Sequence, residues 1–154
     1  MTTQNKKLAL IEDTFSFLVE RGYQVVSKEL NRPYGDVAIV YQSPSCHLKV
    51  VTDQGEVYVF IAPNPLVNLC WNDLESVVAY LATHSNSISV HGSEMVAFPL
   101  VQIDDSAARR ALAGTLRRHL LAIEALFGQQ DALSLCEELR GFLIDRLKRR
   151  TGLK

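Results

Sequence analysis

The spacing of strand-like runs between residues 23 and 62 constrains this chain most, because the links between them are too short to cross over a sheet. Parallel neighbours need a crossover of about a dozen residues, whereas antiparallel ones join through a tight turn. Tyr23 to Leu30 is rich in β-forming residues and leads into Arg32-Pro33-Tyr34-Gly35-Asp36, a turn sequence. Val37 to Gln42 is the second run and ends at Ser43-Pro44-Ser45. Cys46 to Asp53 alternates, with Leu48 and Val50 on one face and His47, Lys49 and Val51 on the other. Val57 to Ala62 is apolar on both faces, as in a strand covered on both sides. Gln54-Gly55 between these two runs predicts a short hairpin that sets Val50 opposite Val59 and Leu48 opposite Ile61. The expected sheet is an antiparallel meander.

Helical patterns flank it. Over residues 6–21, Leu8, Ile11, Phe15, Leu18 and Val19 share one arc, and Gly22 suits the left-handed stop. Leu10 and Phe17, seven apart, fall on nearly the opposite side. Either their own chain covers them or they form a contact strip for a partner or a second copy. A second helix has Asn72 as its expected N-cap, Glu75 in the capping-box position and Leu74, Val77, Val78 and Leu81 as its apolar face. Residues 83–105 are the least regular: Thr83 to Ser93 is polar and serine-rich, and Met95 to Ile103 predicts a short edge strand broken by Pro99. Two long helices follow. Leu112, Leu116, Leu120, Ile123 and Phe127 line the first, which Gly128 ends. The second runs from an Asp131 cap to about Arg149, with Leu135, Leu139, Phe142, Leu143 and Leu147 facing inward. The fold class is α+β: a four- to five-stranded antiparallel meander with an N-terminal helix, a central helix and a C-terminal antiparallel helical hairpin. A chain of 154 residues suits one such domain, residues 1–154.

Charge and cysteines narrow the setting. Residues 1–103 carry 6 basic and 10 acidic side chains, and residues 104–154 carry 10 basic and 7 acidic. The basic tail complements a helix dipole as well as it would an anion, and the whole chain has a net charge of −1, so nucleic acid is not the expected partner. Glu12 and Asp13 end the first apolar run before a secretory leader could form, and prolines and asparagines interrupt Val57 to Asn72, so no leader and no membrane span is expected. Cys46, Cys70 and Cys136 are odd in number and scattered, which favours reduced thiols and a cytoplasmic location.

No catalytic set emerges, and neither metal nor cofactor is expected. His84 and His91 flank the serine-rich stretch, but their spacing through an irregular segment is not that of zinc ligands. Cys46 and His47 are strand neighbours and point apart. Neither phosphate-binding glycine motif is present, and His91-Gly92-Ser93 lacks the flanking glycines of a nucleophile elbow. The candidates for contact with a partner are Tyr34 in its turn, Asp53 and Glu56 facing each other at the hairpin tip, and Trp71 before its helix. A solvated turn and an inward-packed tryptophan explain the same residues in structural terms. Arg110, Arg117, Arg149 and Arg150 are candidates for an anion, and Arg146, within an apolar arc, is expected to snorkel or to pair with a distant carboxylate.

The segments FSFLVERGYQ, DVAIVYQSPSCHLKVVTDQGEVYVFIAP and RRALAGTLRRHLLAIEALFG together resemble a loose group of small bacterial α+β proteins of unknown function, some of them immunity-protein-like. The likeness covers residues 8–62 and 106–128 and is one of shape, carrying no functional residues. The helical tail and near-neutral charge depart from the strongly acidic immunity proteins that block nucleases. With a complete core pattern and no convergent catalytic set, the expected function is that of a non-enzymatic cytoplasmic protein, an inhibitor or immunity factor, that binds another protein and occludes its working site. The alternatives are a ligand-binding protein or enzyme using His84 and His91, and an anion binder using the basic helices. A homodimer through Leu10 and Phe17 is compatible with the first reading.

Overall fold

The computed structural model describes residues 3–66, 70–84, 98–129 and 131–152. Helices α1 (Thr3–Thr14) and α2 (Ser16–Glu20) precede strands β1 (Gln24–Glu29), β2 (Ala38–Gln42), β3 (Cys46–Asp53), β4 (Glu56–Pro63) and the very short β5 (Asn72–Asp73). Helices α3 (Leu74–His84), α4 (Ser106–Gln129) and α5 (Ala132–Thr151) follow. The strands form one five-stranded sheet in chain order, each antiparallel to its neighbour. The fold is the α+β meander that the link lengths require.

The register is set at the β3–β4 turn. Gln54 and Gly55 both have positive φ, 51° and 83°, the combination a two-residue hairpin needs to match strand twist. Val50 therefore faces Val59, and Leu48 faces Ile61. The turn at Pro33–Gly35 is anchored to this hairpin by Asp36, whose buried carboxylate accepts from Gln54 N (2.7 Å), Gly55 N (3.3 Å) and Thr52 Oγ1 (2.8 Å). Lys7 of α1 pairs with it at 3.5 Å.

Directly opposed residues of an antiparallel pair share a face, so the register divides the sheet into two sides. Ile39, Tyr41, Leu48, Val50, Val59 and Ile61 occupy one, and they enter a core with Ile11 and Leu18 of the opening helices, Val77 of α3, Leu116, Leu120 and Ile123 of α4, and Leu135 and Leu139 of α5. Burying each such side chain contributes about 1.5–3 kcal/mol. The other face carries Val40, Lys49, Tyr58 and Phe60, half-buried, beside the buried Ala38, His47, Val51 and Ala62, none of them part of that helix-packed cluster.

Several local expectations are corrected. The opening helix is broken at Phe15 (φ −105°, ψ 20°), and the apolar stripe continues through Phe15 and Leu18, leaving Val19 54% exposed. Asp73, not Asn72, caps α3, accepting from Ser76 N (3.1 Å) and Ser76 Oγ (2.7 Å). Asn72 is taken up by β5 instead, its amide donating toward Ile61 O and Cys70 O. α4 continues through Gly128 to Gln129, because a glycine weakens a helix without ending it where the backbone stays helical. Leu147 is 52% exposed, since the inward face of α5 beyond Phe142 is taken by Arg146, which reaches Glu75 at 3.8 Å. Of the edge strand expected over Met95 to Ile103, the described part makes one bridge, Gln102 to Glu56, and β5 supplies the fifth strand.

The expectation of reduced thiols also fails. Cys70 and Cys136, 66 residues apart, form a disulfide that ties the segment before α3 to the first half of α5. No sequence spacing signals this pairing, which the fold alone creates. Tyr80 meets Glu138 and Phe142, while Glu75, earlier on α3, meets Arg146 and Arg150, so α5 runs antiparallel to α3. Cys46 is a free, buried thiol, as expected of an inert cysteine.

Candidate functional site

The second face of the sheet carries an aromatic strip. Lys49 on β3 lies opposite Phe60 on β4, and the chain before β5 brings Trp71 alongside. The Lys49 ammonium sits 4.4 Å from the Trp71 ring centroid and 5.8 Å from that of Phe60. Cation–π attraction of this kind contributes about 0.5–2 kcal/mol, more as water is excluded. Burial against these rings, followed by the nearby Arg32 guanidinium, pulls the lysine's pKa below its ordinary value, with Glu29 opposing. Among the described residues Lys49 has no carboxylate within ion-pair distance; Arg32 and Glu29 pair with each other at 2.7 Å.

Tyr58 extends the strip, its ring 6.4 Å from that of Phe60. Its hydroxyl donates to Glu56, and this bond, ahead of burial, raises the phenol's pKa. Glu56 faces Asp53 across the turn as the sequence predicted. Like charges so placed repel unless a cation or a basic side chain sits between them. Tyr34 projects from the neighbouring turn, 78% exposed, with φ 61°. A bulky residue in the left-handed region is a strained outlier, and such strain collects at functional sites.

The sequence-predicted residues thus fall in two places. Asp53, Glu56 and Trp71 lie along the outer face, and Tyr34 stands at its hairpin end, held there through Asp36. Leu10 and Phe17 lie apart from them, half-buried against the core, with Arg117 5.6 Å over the Phe17 ring. Lys49, Tyr58 and Phe60 were missed as site residues. Their signal was the period-two alternation of β3 and β4 joined to the hairpin register, which sets Lys49 against Phe60.

A cleft of about 410 Å³ lies between α3 and α5, lined by Tyr80, His84, Glu138, Phe142, Asp145 and Arg149 among others. The His84 ring stacks on Tyr80 at 4.0 Å and meets Phe142 edge-on. Burial, then the hydrogen bond to Glu138, pushes the Tyr80 phenol up to about 12. His84 Nδ1 lies 3.0 Å from its own helix's Tyr80 carbonyl. His91 lies outside the described residues. His119 is half-buried with Nδ1 2.9 Å from Thr115 O, and His47 is buried with Nδ1 3.0 Å from Pro63 O, so both rings are committed to backbone. Among the described residues no three His, Cys, Asp or Glu side chains converge to hold a metal ion.

The arginines are dispersed. Arg117 covers Phe17, Arg150 and Arg146 meet Glu75, and Arg149 lines the cleft, so they do not form one stripe. Glu124, in line with Arg110 and Arg117, accepts from Arg21 and from the Tyr23 hydroxyl, each at 2.8 Å.

Among the described residues no helix is long and apolar enough to cross a membrane. What fold and face define is an α+β protein whose helices pack on one side of the sheet and whose other side carries aromatic rings and charge. Compared with protein-family models, with curated proteins and with solved structures, the chain matches none.

Proposed function

We propose that this protein is a non-enzymatic binding module that docks another protein on the outer face of its sheet and acts by occluding it, as an inhibitor or immunity-type protein does. The observation that carries the reading is the half-buried aromatic strip Tyr58, Phe60 and Trp71 around Lys49, on the face of the sheet opposite the helices. Tyr, Trp and Phe are enriched at the centres of protein interfaces, and a few such anchors carry most of the binding energy. A partner carboxylate reaching Lys49 would find a cation already partly desolvated. Tyr34, Asp53 and Glu56 would then form the rim.

The test is affinity capture at native expression level, with wild type beside a Phe60→Ala/Trp71→Ala variant confirmed as folded. One stoichiometric protein held by wild type and lost by the variant is expected. Equal retention by both would move the contact elsewhere. A second reading, ligand binding in the α3–α5 cleft, is favoured by the Tyr80–His84–Phe142 cluster alone. It predicts ligand binding or turnover that His84→Ala abolishes and the outer-face variant leaves intact.

The cytoplasmic placement drew on reduced thiols, and the Cys70–Cys136 bond removes that support, since disulfides persist in oxidising compartments. Thiol trapping in intact cells decides between them: reduced cysteines place the protein in the cytoplasm, an intact bond in an oxidising compartment.

A further inference from the structure

Two neighbouring residues serve opposite sides of the sheet. Cys70 is buried and bonded to Cys136 of α5, whereas Trp71, the next residue, lays its half-buried ring over Lys49 on the outer face. That is the alternation of an extended chain running into β5. There Asn72 lies opposite Ile61 of the helix-packed face, and Asp73 opposite Phe60 of the outer one. Trp71 therefore stands between two attachments. The one after it is slight: β5 has two residues, where strands usually have roughly three to ten. The Asn72 amide adds only long contacts, 3.4 Å to Ile61 O and 3.4 Å to Cys70 O. The attachment before it is covalent, and it adjoins the tryptophan directly.

We infer that the Cys70–Cys136 bond is a redox-controlled clamp on Trp71. Oxidised, it fixes the indole over Lys49; reduced, it lets the indole leave, and the outer face loses an anchor. The reductant is a small dithiol. Its thiolate attacks one sulfur, and a mixed disulfide forms as the Cys70–Cys136 bond breaks. The second thiol of the reductant then displaces the protein and closes the reductant's own disulfide. Two electrons and two protons pass to the protein, leaving two cysteine thiols. Leu135 and Leu139 still pack the first half of α5 into the core, so the chain stays folded while Trp71 is released. The clamp stands on these contacts alone; only its consequence for binding rests on the reading given to the outer face.

Dithiothreitol added to the full chain under native conditions tests it. Reduction is expected to red-shift Trp71 emission, to raise its acrylamide quenching constant and to speed acetylation of Lys49 relative to Lys28. Urea unfolding of the reduced protein should remain one cooperative transition. A Cys70→Ser/Cys136→Ser variant should show the same released tryptophan without reductant, and reductant should change nothing in it. A bond that withstands dithiothreitol in the folded chain overturns the clamp. So does a Trp71 as shielded in the reduced protein as in the oxidised one, or a reduced chain with no cooperative transition left. In the affinity capture described above, the Cys70→Ser/Cys136→Ser variant should lose the protein that wild type retains. If Trp71 is released and that protein is still retained, the clamp stands and the reading of the outer face is what fails.

Discussion

A single buried carboxylate, Asp36, joins three parts of the chain that are distant in sequence: α1 through Lys7, its own turn, and the β3–β4 tip through Gln54, Thr52 and Gly55. Burial alone would raise its pKa, but the hydrogen bonds and Lys7 together outweigh burial and hold it below the ordinary carboxyl value. A depressed folded-state pKa means stability that is present above the unfolded value, about 4, and lost as pH falls through the folded one. Asp36→Asn is expected to cost about 1–3 kcal/mol at neutral pH and to flatten the acid limb of a melting-temperature profile. An unchanged acid limb would contradict this. Tyr34 makes the opposite case. Asparagine tolerates the left-handed backbone that tyrosine adopts at a cost of about 1–2 kcal/mol. Tyr34→Asn should therefore raise stability in urea titrations while weakening partner capture. A destabilised Tyr34→Asn protein would mean that the ring supports the fold.

At the scale of elements, α5 depends on a covalent tie as much as on packing. Its deep contacts are Leu135, Cys136 and Leu139, all in its first half, and the rest is held by the Phe142 cluster and the exposed ion pairs to Glu75. Closing a loop of 66 residues stabilises by roughly 2–4 kcal/mol through the unfolded chain. Cys136→Ser should lower stability by that order, and hydrogen exchange should show the loss first in α5. Thiol counting gives an independent check. The native protein should be unreactive; in denaturant one thiol, Cys46, should react, and all three cysteines after reduction. Three reactive thiols without reductant would exclude the bond. The meander was legible because alternation in β3 and the Gln54-Gly55 turn are local signals. The break at Phe15, the two residues of β5 and the Cys70–Cys136 pairing were not, because each is decided by what the rest of the chain packs against it.

Over the whole molecule, one asymmetry matters: the strand residues that pack with the helices come from a single face of the sheet, while Ala38, Val51 and Ala62 are buried on the other. The sequence hinted at the opposite face through the doubly apolar pattern of Val57 to Ala62, which suggested a cover on both sides. The helices instead share their core with one side, and Tyr58 and Phe60 are left on the other, half-exposed. Trp71 was singled out as a contact anchor from its place before a helix, but its neighbours were not, because Lys49 reaches it only once β3, β4 and the loop before β5 are in register. Asp53 and Glu56 were legible from the hairpin alone. Trp71 is also the chain's single tryptophan, so its emission reports on the outer face without a label. The most direct test of that face is Trp71 fluorescence with acrylamide quenching, as the captured partner is titrated in. Docking on this face gives a blue shift and loss of quencher access that saturate at stoichiometric complex; a complex that forms while Trp71 emission and quenching stay unchanged would rule the outer face out as the docking site.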